Sequence, residues 1–189
     1  KNTVQKLFQI LDKENLLKNK KFKIRIKKQI PQEAGLGGGS MNAASILNYL
    51  IKKKIINNYR KKIRSICELI GSDVILGTIS SNCVLSSNGK IKKIYGAPKY
   101  YTTLLKPNFG CSTRKIYSSV GKYTKPKYSK PNKSMFGLKY LINQQNILET
   151  IAFKKYPKLK KIKMYIENSN NPLFVRMTGS GSTIVAYYN

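Results

Sequence analysis

Residues 31–45 read PQEAGLGGGSMNAAS, with glycine at four of the five positions 35–39 and a serine directly after them. Glycines between a strand and a helix let the backbone approach an anion closely. The unpaired N–H groups of the helix's first turn then point at that anion. Gly35, Gly37, Gly38, Gly39 and Ser40 are therefore a candidate phosphate cradle, with a tight structural turn as the alternative. The stretch is not G-x-x-x-x-G-K-[ST], since no lysine follows, nor G-x-G-x-x-G, since position 40 is serine. The chain has two aspartates, Asp12 and Asp73. Asp12 lies beside Lys13 and Glu14 and reads as a solvated charge. Asp73 follows a helix-ending Gly71 and opens the apolar run VILG, so its carboxylate must cap, pair or take part in chemistry. Capping and chemistry both stay open at this level.

Composition removes several kinds of chemistry. There is no histidine, and Cys67, Cys83 and Cys111 are scattered, which argues against a zinc site and a disulfide framework and points to a reducing cytoplasm. The missing histidine also excludes Ser-His-Asp and Cys-His catalysis. The net charge of +30 would ordinarily suggest nucleic acid, but only five of the 37 cations are arginines (Arg25, Arg60, Arg64, Arg114 and Arg176). Lysine is spread along the chain beside abundant Ile, Asn and Tyr. All four have AT-rich codons, so base composition explains the charge without a polyanionic partner. No apolar run approaches the roughly 20 residues that span a bilayer, and no signal-peptide core opens the chain. A hydrophobic content of 41% is enough for a real core.

The elements that must position these residues follow from periodicity. Residues 3–17 carry the helical pattern Val4, Leu7, Phe8, Leu11. Residues 22–30 alternate Phe22, Ile24 and Ile26 with charges, as a half-buried strand that Pro31 ends. Helices are expected over 41–54 and 59–70, so the glycines fall between a strand and a helix. Residues 82–86 and 91–95 read as paired strands around Ser87-Asn88-Gly89. A Pro/Lys/Tyr-rich loop covers 121–134. A helix near 136–152, a strand near 160–166 and a terminal strand pair, LFVRM and TIVAYY around TGSGS, complete a mixed α+β order without repeats.

Three stretches together resemble the GHMP kinases. Pro31-x-x-Ala34-Gly35-Leu36-Gly37-Gly38-Gly39-Ser40-x-Asn42-Ala43-Ala44 is similar to P-x-x-x-G-L-G-G-G-S-S-[DN]-A-A. That is the motif of the branch acting on 4-diphosphocytidyl-2-C-methyl-D-erythritol, set apart by its extra glycines. Gly71-Ser72-Asp73-Val74 resembles that branch's G-A-D-V, with Asp73 standing 32 positions after Met41. Met177-Thr178-Gly179-Ser180-Gly181-Ser182 resembles its C-terminal glycine loop. The likeness runs from about Asn2 to the end of the chain.

The resemblance implies a two-lobed α+β GHMP kinase fold. Residues 1–100 would be the remainder of a ribosomal protein S5 domain 2-like, ATP-binding lobe, and 101–189 a ferredoxin-like C-terminal lobe closing over the substrate. It implies ATP as co-substrate with Mg2+, and phosphorylation of the C2 hydroxyl of the methylerythritol moiety in non-mevalonate isoprenoid synthesis. Pro31, Gln32, Glu33, Ala34, Gly35, Leu36, Gly37, Gly38, Gly39, Ser40 and Met41 would wrap the ATP phosphates, and Asp73 would be the general base. Asn2 and Lys28 would lie on the adenine side, and Tyr117 would stack on cytosine. Phosphoryl transfer needs positioning and charge neutralisation more than covalent catalysis, so it does not require histidine. The implied protein is cytoplasmic, in a bacterial or plastid-like compartment. It is a monomer or weak homodimer with a small-molecule substrate, and with neither nucleic acid nor membrane as partner.

The chain departs from the family's pattern in three places. Met41 replaces a second serine, which implies weaker ATP binding, and Ile75 stands where proline is common. The family's segment with a catalytic lysine and cytidine-pocket aromatics has no counterpart before Lys1. The resemblance therefore implies an N-terminally truncated chain with about half an active site and an unpaired sheet edge. The alternatives are an inactive remnant of such a kinase and a lysine-rich nucleic-acid-binding protein.

Overall fold

The computed structural model describes residues 2–86, 89–122, 131–169 and 171–189. Ser87 and Asn88 of the expected hairpin turn, and most of the loop at 121–134, lie outside the described residues. The chain divides into two compact units, Lys1–Lys28 with Gly37–Lys93 and Gln29–Leu36 with Ile94–Asn189. The short segment 29–36 belongs to the second unit.

The first unit is mainly helical. Helix α1 (Thr3–Lys13) is opened by a capping box, with Asn2 accepting from the Val4 amide and Gln5 reaching back to the Asn2 amide. Helix α2 (Gly38–Lys52) and helix α3 (Arg60–Ile70) follow, and a 3-10 turn spans Val74–Thr78. Leu7 and Leu11 of α1, Ala43, Ala44, Leu47 and Leu50 of α2, Ile63, Ile66 and Cys67 of α3, and Val74 share one apolar core. These are the inward positions of the 3.6-residue pattern, which is why the three helices were legible. Strands β1 (Asn82–Leu85) and β2 (Ile91–Ile94) pair as a two-stranded sheet.

The strand expected over 22–30 is not formed. The segment has no regular structure, and Phe22, Ile24 and Ile30 are 37%, 41% and 46% exposed. Its alternation is real, but a strand exists only with a ladder partner, and no described residue supplies one. Phe22 is held instead by its ring against Phe8 of α1, with centroids 5.6 Å apart.

The second unit packs short helices on a three-stranded antiparallel sheet of order β3-β5-β4, where β3 is Tyr101–Leu105, β4 Phe174–Met177 and β5 Ile184–Tyr188. The expected terminal pair is present, in the register Met177 opposite Ile184. Helix α4 (Thr113–Tyr117) precedes a 3-10 turn at Lys133–Phe136, and α5 (Leu138–Ile142), α6 (Leu148–Lys155) and α7 (Pro157–Glu167) follow. The single helix expected near 136–152 is thus broken at 143–147. The strand expected near 160–166 is helix α7. Ile162, Met164 and Ile166 mimic a period of two, but Leu159, Ile162 and Ile166 are the inward residues at helical spacing, and Pro157 opens the helix. Among the described residues no helix is long and apolar enough to cross a membrane.

Cys67 and Cys111 are fully buried, one in each core. Burial, with a smaller push from the Glu68 and Glu33 carboxylates respectively, raises both thiols from 9.0 to about 11. Each native thiol holds its proton more tightly than in the unfolded chain. Their stabilising contribution is therefore complete below about pH 9 and is lost as pH rises toward about 11. At pH 8, iodoacetamide is expected to alkylate partly exposed Cys83 first and to reach Cys67 and Cys111 only in denaturing urea. Equal rates for the three in the native protein would contradict this assignment.

Candidate active site

Within the first unit the helix that the glycine run opens packs on the turn that follows Asp73. Gly37 sits at φ +65° as the residue before α2, and a Cβ placed there would meet nothing within 4 Å. It has no side chain to cap the helix, and the first turn carries no acid. Open room thus lies beside Gly37 at the start of a 15-residue helix, whose positive dipole end favours an anion. The Met41 amide closes the turn on the Gly37 carbonyl at 2.9 Å, and the Thr3 hydroxyl of α1 donates to the Gly39 carbonyl at 2.7 Å.

The same helix lies on the turn that Asp73 starts. A Cβ at Gly77 would come within 2.5 Å of the Ala44 Cβ and 3.0 Å of the Met41 sulfur, so the contact exists only because position 77 has no side chain. Met41, which replaces a hydroxyl in the phosphate motif, therefore has packing work of its own. Asp73 stands at the head of the turn with φ −88° and ψ −8°, exposed, and its side chain caps no amide. Its carboxylate accepts from the Ser72 hydroxyl at 3.0 Å. Glu14, Glu68, Glu149 and Glu167 form ion pairs, whereas Asp73 forms none among the described residues of this strongly cationic chain. Of the outcomes open to that carboxylate, capping and pairing are not realised there.

Asn2 is occupied at the start of α1 by the capping box, and Lys28 is exposed on the irregular segment after α1. Neither position is fixed toward a ligand by a contact in this unit.

The first half of the glycine motif has a different structural context, inside the second unit. The Glu33 carbonyl accepts from the Cys111 and Ser182 amides, each at 3.1 Å, and the Ala34 carbonyl accepts from the Thr183 amide at 3.1 Å. The Thr178 hydroxyl donates to the Gly35 carbonyl at 3.1 Å. Gly35 has φ +72°, and a Cβ there would lie 2.3 Å from the Thr178 carbonyl oxygen. Glycine at 35 is thus required by this backbone contact, a role distinct from that of Gly37. Pro31, Gln32 and Glu33 are exposed, Ala34 is buried, and Leu36 is half-buried. The terminal loop is itself braced, since the Ser182 hydroxyl donates to the Phe109 carbonyl at 2.6 Å and Ser180 shares a 2.8 Å hydrogen bond with Thr113. Tyr117, at the end of α4, is 50% exposed, so its ring has a free surface.

Sequence reasoning singled out the TGSGS loop but missed its partner, because Thr178 and Gly35 are 143 positions apart. Gly77 was also missed, and a glycine four residues after Asp73 was the available signal. Among the described residues no cluster of three His, Cys, Asp or Glu side chains exists to cage a metal ion.

The two motif glycines should differ in how much substitution costs. Gly35→Ala is expected to destabilise by more than about 3 kcal/mol, from backbone collision and left-handed strain together. Gly37→Ala, which meets no protein atom, should cost only about 1–2 kcal/mol of strain. Urea denaturation of both variants checks the difference, and equal costs would contradict the assigned contacts.

Comparison with known proteins places this architecture. Residues 2–89 match the family model for the GHMP kinases N terminal domain. The chain is 53% identical over 188 residues to a protein of Pelagibacter ubique (strain HTCC1062) named 4-diphosphocytidyl-2-C-methyl-D-erythritol kinase, covering 100% of this chain and 67% of that protein. A Petrotoga mobilis protein of the same name is 32% identical over 198 residues, with 100% of this chain and 76% of that protein covered. The fold is similar to a crystal structure of 4-(cytidine 5'-diphospho)-2C-methyl-D-erythritol kinase, with a TM-score of 0.74 at 22% identity over 98% of this chain and 68% of that one. The chain belongs to the GHMP kinases, in the family of the 4-diphosphocytidyl-2-C-methyl-D-erythritol kinases.

Proposed function

We propose that the protein transfers the γ-phosphoryl group of ATP to the C2 hydroxyl of 4-diphosphocytidyl-2-C-methyl-D-erythritol, the compound in its relatives' names. The observation that carries this reading is local. Asp73, uncapped and unpaired among the described residues, heads the turn packed against the helix that the glycine run opens.

Pro31 to Met41 are the proposed phosphate-binding segment. The leading amides of α2 and its dipole stabilise negative charge there. Asp73 is the proposed general base. The hydroxyl oxygen forms a bond to the γ-phosphorus, the bond from that phosphorus to the β,γ-bridging oxygen breaks to leave ADP, and the hydroxyl proton goes to the Asp73 carboxylate. The Ser72 hydroxyl donates to that carboxylate at 3.0 Å. The half-exposed Tyr117 ring supports a cytosine-stacking role, for which aromatic contacts contribute about 1–3 kcal/mol per base. Asn2 and Lys28 are proposed for the adenine side. Magnesium would accompany ATP as co-substrate and would supply charge neutralisation on the phosphates during transfer. The three free cysteines support a reducing, cytoplasmic location.

In the whole protein, Asp73→Asn should lower kcat by about 10²–10⁴-fold while leaving the KM for ATP near its wild-type value. Full activity in this variant would remove Asp73 as the base. Gly37→Ala should instead raise the KM for ATP by about tenfold, because a methyl then occupies room the protein itself leaves open. An unchanged KM would place the phosphates elsewhere.

A further inference from the structure

The terminal glycine loop is held from outside by one short segment. Among the described residues β4 is an edge strand of its sheet, so its outward backbone groups have no strand partner there. Two side chains between α5 and the first turn of α6 take their place. Glu149 accepts the Met177 amide through Oε1, and its Oε2 is paired with Lys163 Nζ at 3.0 Å. Asn146 Nδ2 donates to the carbonyls of both Met177, at 2.9 Å, and Gly179, at 2.7 Å. Its Oδ1 meanwhile accepts from the Leu148 amide at 3.1 Å, at the start of α6. Both backbone groups of Met177 and the carbonyl of Gly179 are therefore fixed by residues about 30 positions upstream. Just beyond, Arg176 Nη2 donates to the Leu141 and Gln144 carbonyls at 2.7 and 2.6 Å, tying the same segment to the same strand. The loop fixed in this way supplies the Thr178 hydroxyl and the Ser182 and Thr183 amides that bind Glu33, Ala34 and Gly35.

We propose that Asn146, backed by Glu149, is a positioning residue for the nucleotide site. By clamping Met177 and Gly179 it sets the terminal loop on which Glu33–Gly35 are seated, and through them it orders the phosphate-binding segment. This rests on Pro31–Met41 being that segment. The amide is suited to the task because it uses two N–H donors on the loop and one oxygen on the helix, a combination that neither a carboxylate nor a hydroxyl can reproduce.

Asn146→Asp separates the two roles. A carboxylate still caps the Leu148 amide, so α6 keeps its start, but both donors are lost and a charge faces two carbonyl oxygens. In the whole protein this variant is expected to raise the KM for ATP by about tenfold with the KM for the alcohol substrate unchanged. The Ser182 and Thr183 amides should exchange hydrogen at least about tenfold faster than in wild type. Asn146→Ser, which keeps an acceptor for the cap without the carboxylate's charge, should do the same and serves if the aspartate variant does not fold. Wild-type exchange at those amides, or faster exchange with an unchanged KM for ATP, would overturn the proposal. Equal increases in both KM values would also overturn it, as a merely structural effect. Wild-type protein that binds no ATP would instead overturn the reading of Pro31–Met41. Faster exchange in Asn146→Asp would then still uphold the clamp, and unchanged exchange would overturn it.

Discussion

The contact on which the second unit depends is the seating of Glu33, Ala34 and Gly35 on the loop between β4 and β5. Three backbone carbonyls in succession are satisfied there by Ser182, Thr183 and Thr178. Ala34 is buried, so its carbonyl would cost about 1–3 kcal/mol if left unmet, and the bonds on either side of it limit the segment's freedom to sit elsewhere. The contact tolerates no side chain at position 35, and Ser180, Ser182 and Thr183 are all buried around it. A segment remote in sequence thereby becomes part of the β4–β5 architecture.

The glycine motif consequently answers to two constraints. Its first half is glycine-bearing because two backbones touch. Its second half starts a helix with open room beside Gly37, and that helix packs against the turn after Asp73. The resemblance treated the whole stretch as one phosphate-wrapping unit, and the structure distinguishes the residue that holds the segment, Gly35, from the one that leaves room beside the helix start, Gly37. Met41 fits the same division, since its side chain is committed to Gly77.

Local patterns were legible, and tertiary dependence was not. Helices α1, α2 and α3 follow from apolar spacing, and the terminal strand pair from its short apolar runs around glycine and serine. Residues 22–30 satisfied the strand pattern as well as any true strand, but alternation says nothing about whether a ladder partner is present. The segment 160–166 fitted two periods at once. Leu159, just outside the window considered, decides for helix because it lies one turn before Ile162 and two before Ile166. The break at 143–147 was equally hidden, since the bonds Asn146 makes there reach Met177 and Gly179, about 30 positions away. Asp73 was found from its place after a helix-ending glycine and before an apolar run, and the carboxylate is exposed.

The chemistry proposed for this arrangement is phosphoryl transfer to a hydroxyl, with the start of α2 as the proposed phosphate site and Asp73 as the proposed base. The most direct test follows the phosphorus itself. The whole protein, incubated with Mg·ATP and 4-diphosphocytidyl-2-C-methyl-D-erythritol, should give ADP and one new phosphomonoester resonance in 31P NMR, in equal amounts. ATP converted to ADP and inorganic phosphate without that ester, or no ATP consumed at all, would contradict the account.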